Sequence, residues 1–229
     1  MRERPYTLLS CCVSIDGYIG SAASRLLLSN DADFDRVDAV RASCDAILVG
    51  AETVRIDNPR LLVKSDARRE ERSARGLPES PVKVTVTRRA ELDAHADFFN
   101  VGDSEKIVYC ASPRVEAARD RFGRVATVVD GGQNVEMRTL STDLAARGVD
   151  RLMVEGGGNV HTQFLTDDLV DELQLTVAPV FVGDSDAVRF VRDGAFPWNT
   201  ARRAELVDVQ KLGDVVLLRY ALSSRFEEC

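Results

Sequence analysis

The sequence predicts an α/β protein in which a mixed, mainly parallel sheet is flanked by helices and finished by a C-terminal antiparallel hairpin. Three observations carry this prediction. Apolar strand-like runs alternate with helix-periodic segments from residue 31 to residue 170. The run Arg151 to Glu155 passes directly into Gly156-Gly157-Gly158 and then into a helical stretch. Two adjacent β-rich segments, 204–211 and 214–222, meet at Leu212-Gly213 as a closing hairpin.

Taken in order, the first strand is Tyr6 to Val13, followed by a turn at Asp16-Gly17 and a short strand at Tyr18-Ile19. Phe34, Val37 and Val40 recur at helical spacing within Asp31 to Ala42, with Asn30 or Asp31 as the N-cap. Strands follow at Asp45 to Val49, Val82 to Thr87, Lys106 to Ala111 and Val125 to Val129. Ser112-Pro113 opens a helix over Arg114 to Phe122, and Met137 to Arg147 forms another. That helix ends at Gly148, a residue suited to the left-handed position after a helix. Val160, Phe164, Leu165, Leu169 and Val170 carry the period of the next helix, and Glu172 to Val177 is the strand after it. The charge run from Lys64 to Ser80 contains Arg68, Arg69, Glu70, Glu71, Arg72 and Arg75 and reads as a solvated surface loop. With no repeat and no low-complexity tail, residues 1–229 read as one domain.

Composition narrows the function. Apolar residues at 45% and charged residues at 29% are those of a soluble globular protein. A net charge of −7 argues against nucleic acid or an anionic membrane surface as partner, since both need a basic face. No run approaches the roughly 18 apolar residues of a membrane span. Met1 to Thr7 is too short and too charged for a signal peptide, so a cytoplasmic location is expected. Cys11, Cys12, Cys44, Cys110 and Cys229 form no C-x-x-C pair, and His95 and His161 are the only histidines. Reduced thiols and no metal site are therefore expected.

Four segments can carry chemistry. In the first, strand, glycine turn and helix from Arg151 to His161 would offer backbone N–H groups and a helix N-terminus to a phosphate. Glycine there permits close approach and the positive φ that such turns often take. Glu155, directly before the glycines, would repel phosphate and so faces the reacting end of a substrate. The second, Gly50 to Leu61, follows a strand end, where open α/β sheets bind ligands. Thr53 there offers a hydroxyl and an N–H at a helix start, and Asn58-Pro59 forces a turn that exposes Asp57. The same segment also reads as a plain strand-to-helix turn with a capping Thr. In the third, Thr87-Arg88-Arg89, paired arginines suit a phosphate monoester. The fourth, Ser14 to Gly20, contains an Asp-Gly turn near the end of the first strand. The fingerprint G-x-G-x-x-G is missing, so a dinucleotide site must be built another way.

Four groups occur in order: Val13-Ser14-Ile15-Asp16-Gly17-Tyr18-Ile19, then Asp45-Ala46-Ile47-Leu48-Val49-Gly50-Ala51-Glu52-Thr53, then Asp57-Asn58-Pro59-Arg60-Leu61. The last is Val154-Glu155-Gly156-Gly157-Gly158, with Leu169-Val170-Asp171-Glu172-Leu173 and Ala178-Pro179 downstream. Together they resemble the reductase domain of riboflavin biosynthesis, the dihydrofolate-reductase-like pyrimidine reductases, over nearly the whole chain. The resemblance implies a stand-alone reductase that uses NADPH and forms a homodimer. Its substrate would be a ribosylamino-pyrimidine 5′-phosphate, reduced at the anomeric carbon so that the ribose opens to a ribityl chain. Carried over by position, Thr53, Asp57, Thr87 and Arg88 would contact NADPH, with Arg88 near the 2′-phosphate. Gly156, Gly157, Gly158, Asn159 and Val160, on to Gln163, would cradle the pyrophosphate. Arg41, Leu61, Lys64 and Glu155 would surround the phosphorylated substrate, Glu155 as proton donor or as anchor.

The departures fall on the substrate side. Leu9-Ser10-Cys11-Cys12-Val13-Ser14 lacks the lysine of the family pattern K-x-A-x-S, and Tyr18 follows Asp16-Gly17 where lysine is common. A tryptophan usual before the first helix is replaced within Arg25 to Ser29, and Lys64 stands where arginine is more usual. Two other functions are therefore kept in view: an NADPH reductase of a pterin or dihydrofolate-like ring, and a catalytically silent dinucleotide-binding protein of the same fold.

Overall fold

The computed structural model describes residues 3–20 and 26–226; Met1, Arg2, Arg25 and Cys229, on which parts of the sequence reading fell, lie outside the described residues. In chain order the elements begin with β1 (Tyr6–Ser14), α1 (Asp31–Ala42), β2 (Ala46–Gly50), α2 (Ala51–Asp57) and α3 (Asp66–Ala74). Then come β3 (Val82–Thr87), α4 (Asp97–Asn100), β4 (Lys106–Cys110), a 3-10 turn (Ser112–Arg114), α5 (Val115–Phe122), β5 (Thr127–Asp130) and α6 (Met137–Ala146). The chain finishes with β6 (Arg151–Gly156), α7 (Gly158–Thr166), β7 (Glu172–Ala178), β8 (Glu205–Leu212) and β9 (Val215–Ala221). The nine strands belong to a mixed, mainly parallel sheet. Each strand expected from the apolar runs forms, its ends shifted by no more than two residues, except Tyr18-Ile19. That pair is reduced to a single antiparallel bridge, Tyr18 to Arg189. Among the described residues no helix is long and apolar enough to cross a membrane.

The chain divides into two compact units, a central one of Asp38–Met153 with Met1–Pro5 and a terminal one of Tyr6–Val37 with Val154–Cys229. In the central unit β2, β3, β4 and β5 pair side by side, all parallel. All five residues of β2 are buried, which is why it reads as an unbroken apolar run rather than an alternating one. Phe98, Phe99 and Phe122 pack together, with ring centroids 4.9 and 5.2 Å apart.

The Lys64 to Ser80 run is not a solvated loop. It contains α3, and Arg72 in the last turn of that helix is only 2% exposed. Ser65 caps the helix, its hydroxyl oxygen accepting from the Arg68 N–H. Arg72 donates through Nε to the Pro78 carbonyl (2.8 Å) and through Nη1 to those of Ala42 (2.8 Å) and Cys44 (2.7 Å). No apolar stripe marks this helix because its inward face is an arginine stem with its charge spent on carbonyls. Arg72→Ala is expected to strand three carbonyls and cost about 3 kcal/mol, read as a lower urea midpoint. Arg72→Lys should recover only part, since a compact ammonium cannot match the planar fork. An unchanged midpoint for the alanine variant would contradict this account.

In the terminal unit β1 pairs parallel to β7, β7 antiparallel to β9, and β9 antiparallel to β8 with an irregularity between Leu206 and Asp208. β7 reverses the usual polarity: Glu172, Gln174 and Thr176 are buried, while Leu173, Leu175 and Val177 are only half-buried. Arg36 of α1 explains this, donating to Gln174 Oε1 (2.5 Å) and, with the Thr176 hydroxyl, to Asp33 Oδ1. Glu172 accepts from the Tyr6 hydroxyl (2.9 Å), the Gln174 amide (2.8 Å) and Arg219 Nε (3.0 Å). Burying these groups is tolerable because most of them are hydrogen-bonded. Asn30 is the N-cap of α1, its side-chain oxygen accepting from the Asp33 N–H at 3.0 Å.

Candidate functional site

In the terminal unit, β6 buries Val154, leaves Glu155 half-buried, and ends at Gly156. Gly157 is the N-cap of α7, at φ −54° and ψ 169°, and no side chain caps the helix. The Val160 N–H donates to the Gly157 carbonyl at 2.9 Å, so the N–H groups of Gly158 and Asn159, with the positive end of the helix dipole, are the ones directed at an approaching anion. Contrary to the expectation for such a turn, none of the three glycines has a positive φ. What requires glycine at 158 is crowding, because a Cβ there would lie 2.4 Å from the Arg189 carbonyl oxygen.

His161, fully buried one turn into α7, has Nδ1 3.2 Å from the Phe190 carbonyl oxygen. Burial pulls its pKa down to about 4, against the effect of that bond, so the ring is neutral near pH 7 and Nδ1–H donates. The helix stops at Thr166, while Leu169 and Val170, assigned to it by periodicity, are buried in the turn that follows.

In the central unit, Gly50 and Thr87 end neighbouring parallel strands, with Gly50 in register with Val86. Thr53, expected to cap the next helix, sits within α2 instead. The N-cap is Gly50, which has no side chain to bond. Asp57 closes α2 and is exposed, and Asn58 adopts φ 43° behind it, as a side chain able to bond its own backbone does readily. Thr87 is buried, its hydroxyl accepting from the Ala90 N–H at 3.0 Å. This turn leaves Arg88 and Arg89 exposed; Arg89 has Glu91 at 3.9 Å, whereas no carboxylate pairs with Arg88 among the described residues.

Arg41, Leu61 and Lys64 are also brought together in this unit. Arg41 Nη1 donates to the Leu62 carbonyl at 3.2 Å, next to the buried Leu61, which has φ 48°. Asp38, a residue with no motif around it, organises the segment: it accepts from the N–H groups of Lys64 (2.5 Å) and Ser65 (3.2 Å) and from Arg68 Nη1 (3.0 Å). Burial raises the pKa of the Asp38 carboxyl, but these donors outweigh it and hold it below the usual carboxylate range. Its spacing of three from Arg41 on one helix was the available sequence signal.

The Ser14 to Gly20 candidate is a turn whose carboxylate is already engaged. Asp16 accepts from the Ser14 hydroxyl (2.6 Å) and the N–H groups of Val182 and Gly183, which hold its pKa down at about 2. Sequence reasoning did not find residues 187–190, the segment packed against both this turn and α7.

A family model described as the RibD C-terminal domain matches residues 5–218. The 2,5-diamino-6-ribosylamino-4(3H)-pyrimidinone 5′-phosphate reductase of Methanothermobacter thermautotrophicus is 34% identical, covering 96% of this chain and 99% of that protein. The protein of the same name from Archaeoglobus fulgidus is 32% identical, covering 97% and 99%. Among solved structures, a pyrimidine reductase-like protein from Corynebacterium diphtheriae superposes with a TM-score of 0.78 at 21% identity, over 95% of this chain and 91% of that one. The deaminase/reductase of Thermotoga maritima gives 0.75 at 21% identity, over 95% of this chain and 56% of that one. At such identities the two structures speak for the fold alone.

Proposed function

Because the chain belongs to the RibD C-terminal domain family, we propose that it is an NADPH-dependent reductase converting a ribosylamino-pyrimidine 5′-phosphate, or a closely related heterocyclic sugar phosphate, to its ribityl form in riboflavin or related specialised biosynthesis. The observation that carries this reading is the near full-length match to two archaeal proteins so named. Reading residues 1–229 as one reductase domain, working as a cytoplasmic homodimer, belongs to the same proposal.

The residues present fit a dinucleotide. An uncapped helix start after Gly157 is suited to a pyrophosphate, and Arg88 is an exposed guanidinium suited to a 2′-phosphate. Bound reduced nicotinamide supplies a hydride to the anomeric carbon of the substrate. The chain does the rest. Backbone N–H groups of Gly158 and Asn159 hold the pyrophosphate, Val160 packing beside them with its own N–H on the Gly157 carbonyl, and Thr53, Asp57 and Thr87 fix the remainder of the cofactor. Arg41 and Lys64 neutralise the substrate phosphate, which favours a phosphorylated sugar over a free pterin, and Leu61 packs beside them. As the ribose opens, its ring oxygen or the nitrogen takes a proton, and Glu155, or a water it holds, supplies one.

Fluorescence titration with NADPH and NADH, followed by loss of reduced-nicotinamide absorbance on adding the ribosylamino-pyrimidine phosphate, tests the reading. Arg88→Ala is expected to weaken NADPH roughly tenfold and NADH hardly at all, as loss of one charge-assisted contact would. NADH binding as well as NADPH to the unaltered protein removes the 2′-phosphate assignment. Cofactor binding without absorbance loss removes the substrate.

A further inference from the structure

Residues 188–192 are stitched down on two sides. The Ile19 N–H donates to the Val188 carbonyl at 2.8 Å, and the Phe190 N–H donates to the Gly17 carbonyl at 3.1 Å. From the other side His161 Nδ1 donates to the Phe190 carbonyl, and the Arg192 N–H donates to the Thr162 hydroxyl oxygen at 2.8 Å. Between these anchors the Arg189 carbonyl lies so close to Gly158 that no Cβ fits there. The main chain of Arg189 therefore rests on the first residue of α7.

Its side chain is held as firmly. The guanidinium carbon stands 4.5 Å over the ring of Tyr18, and Nη2 donates to the Tyr18 hydroxyl at 3.0 Å. Tyr18 is itself 5% exposed, and its N–H donates to the Ser14 hydroxyl oxygen at 2.9 Å. No carboxylate pairs with Arg189 among the described residues, and the residue is exposed. A cation stacked on an aromatic face keeps a fixed plane with its remaining N–H groups free. An ordered, unneutralised guanidinium whose own main chain rests on the first residue of an uncapped helix is within side-chain reach of an anion bound there, an arrangement for binding a phosphate group.

We propose that Arg189, carried on Tyr18, is a binding residue for the dinucleotide pyrophosphate, adding a charged fork to the N–H groups of α7. This assignment rests on the reading of the protein as a dinucleotide-dependent reductase. Arg189→Ala is expected to weaken NADPH and NADH equally, by roughly tenfold or more, as loss of a charged hydrogen-bond donor does. Arg189→Lys should recover part of the affinity and Tyr18→Phe lose less than the alanine variant. Binding of reduced nicotinamide mononucleotide, which has no pyrophosphate, the substrate KM at saturating cofactor and the melting temperature should all stay unchanged.

If unaltered protein binds neither dinucleotide, the reductase reading fails and takes this assignment with it. If it binds both and Arg189→Ala binds them equally well, only the assignment falls. A loss confined to NADPH, or to substrate KM, likewise overturns it.

Discussion

A Gly158→Val variant is expected to lose most of its dinucleotide affinity together with about 3 kcal/mol of stability, a cost of forced overpacking against backbone. The valine Cβ would lie 2.4 Å from the Arg189 carbonyl oxygen and 3.5 Å from a methyl of Val188. A carbonyl oxygen cannot rotate aside as a side chain can. Either the first turn of α7 or the 188–190 segment must move, and the His161 to Phe190 bond moves with it. Urea unfolding and NADPH titration measure the two effects separately. Gly157→Val supplies the contrast, because φ −54° and ψ 169° are open to any residue. It should weaken NADPH without unfolding the protein. An unchanged dissociation constant there would remove the glycine turn from the site, and an unchanged urea midpoint for Gly158→Val would remove the crowding argument.

Glu155→Gln is expected to lower turnover about a hundredfold while leaving NADPH affinity nearly intact, the size of a lost general acid. Glutamine keeps the shape and most of the hydrogen bonding but carries no transferable proton. The carboxylate is half-buried at the end of β6, immediately before the glycines. If Glu155 is an anchor only, substrate KM rises and kcat stays close to that of the unaltered protein. Equal loss of turnover and cofactor affinity would mark a structural role.

Much of the fold was legible because its information is local. β2 and β3 are apolar or β-branched runs bounded by turns, and β3 starts and stops where periodicity places it. Asn30 before α1 and Gly148 after α6 behave as their conformational preferences require, Gly148 at φ 87°. The glycine turn was found for the same reason, although the cause assigned to it was partly wrong. Positive φ is a property of one residue and can be guessed from glycine. Crowding at Gly158 depends on Arg189, thirty-one residues on, and cannot.

What the sequence determined by itself was the order and type of the elements, the strand–glycine–helix turn, and the family the chain belongs to. Each of these is written in neighbouring residues. Tertiary structure alone decided where polar groups go. It turned a charge run into α3 because Arg72 found three carbonyls brought to it by other parts of the chain. It put Glu172, Gln174 and Thr176 inside β7 because Arg36, Tyr6 and Arg219 arrive to bond them. It set an exposed Arg189 on Tyr18 beside the turn. The physical reason is common to all three: apolar burial favours any apolar neighbour, whereas a buried or ordered polar group needs particular partners, and those come from distant parts of the chain.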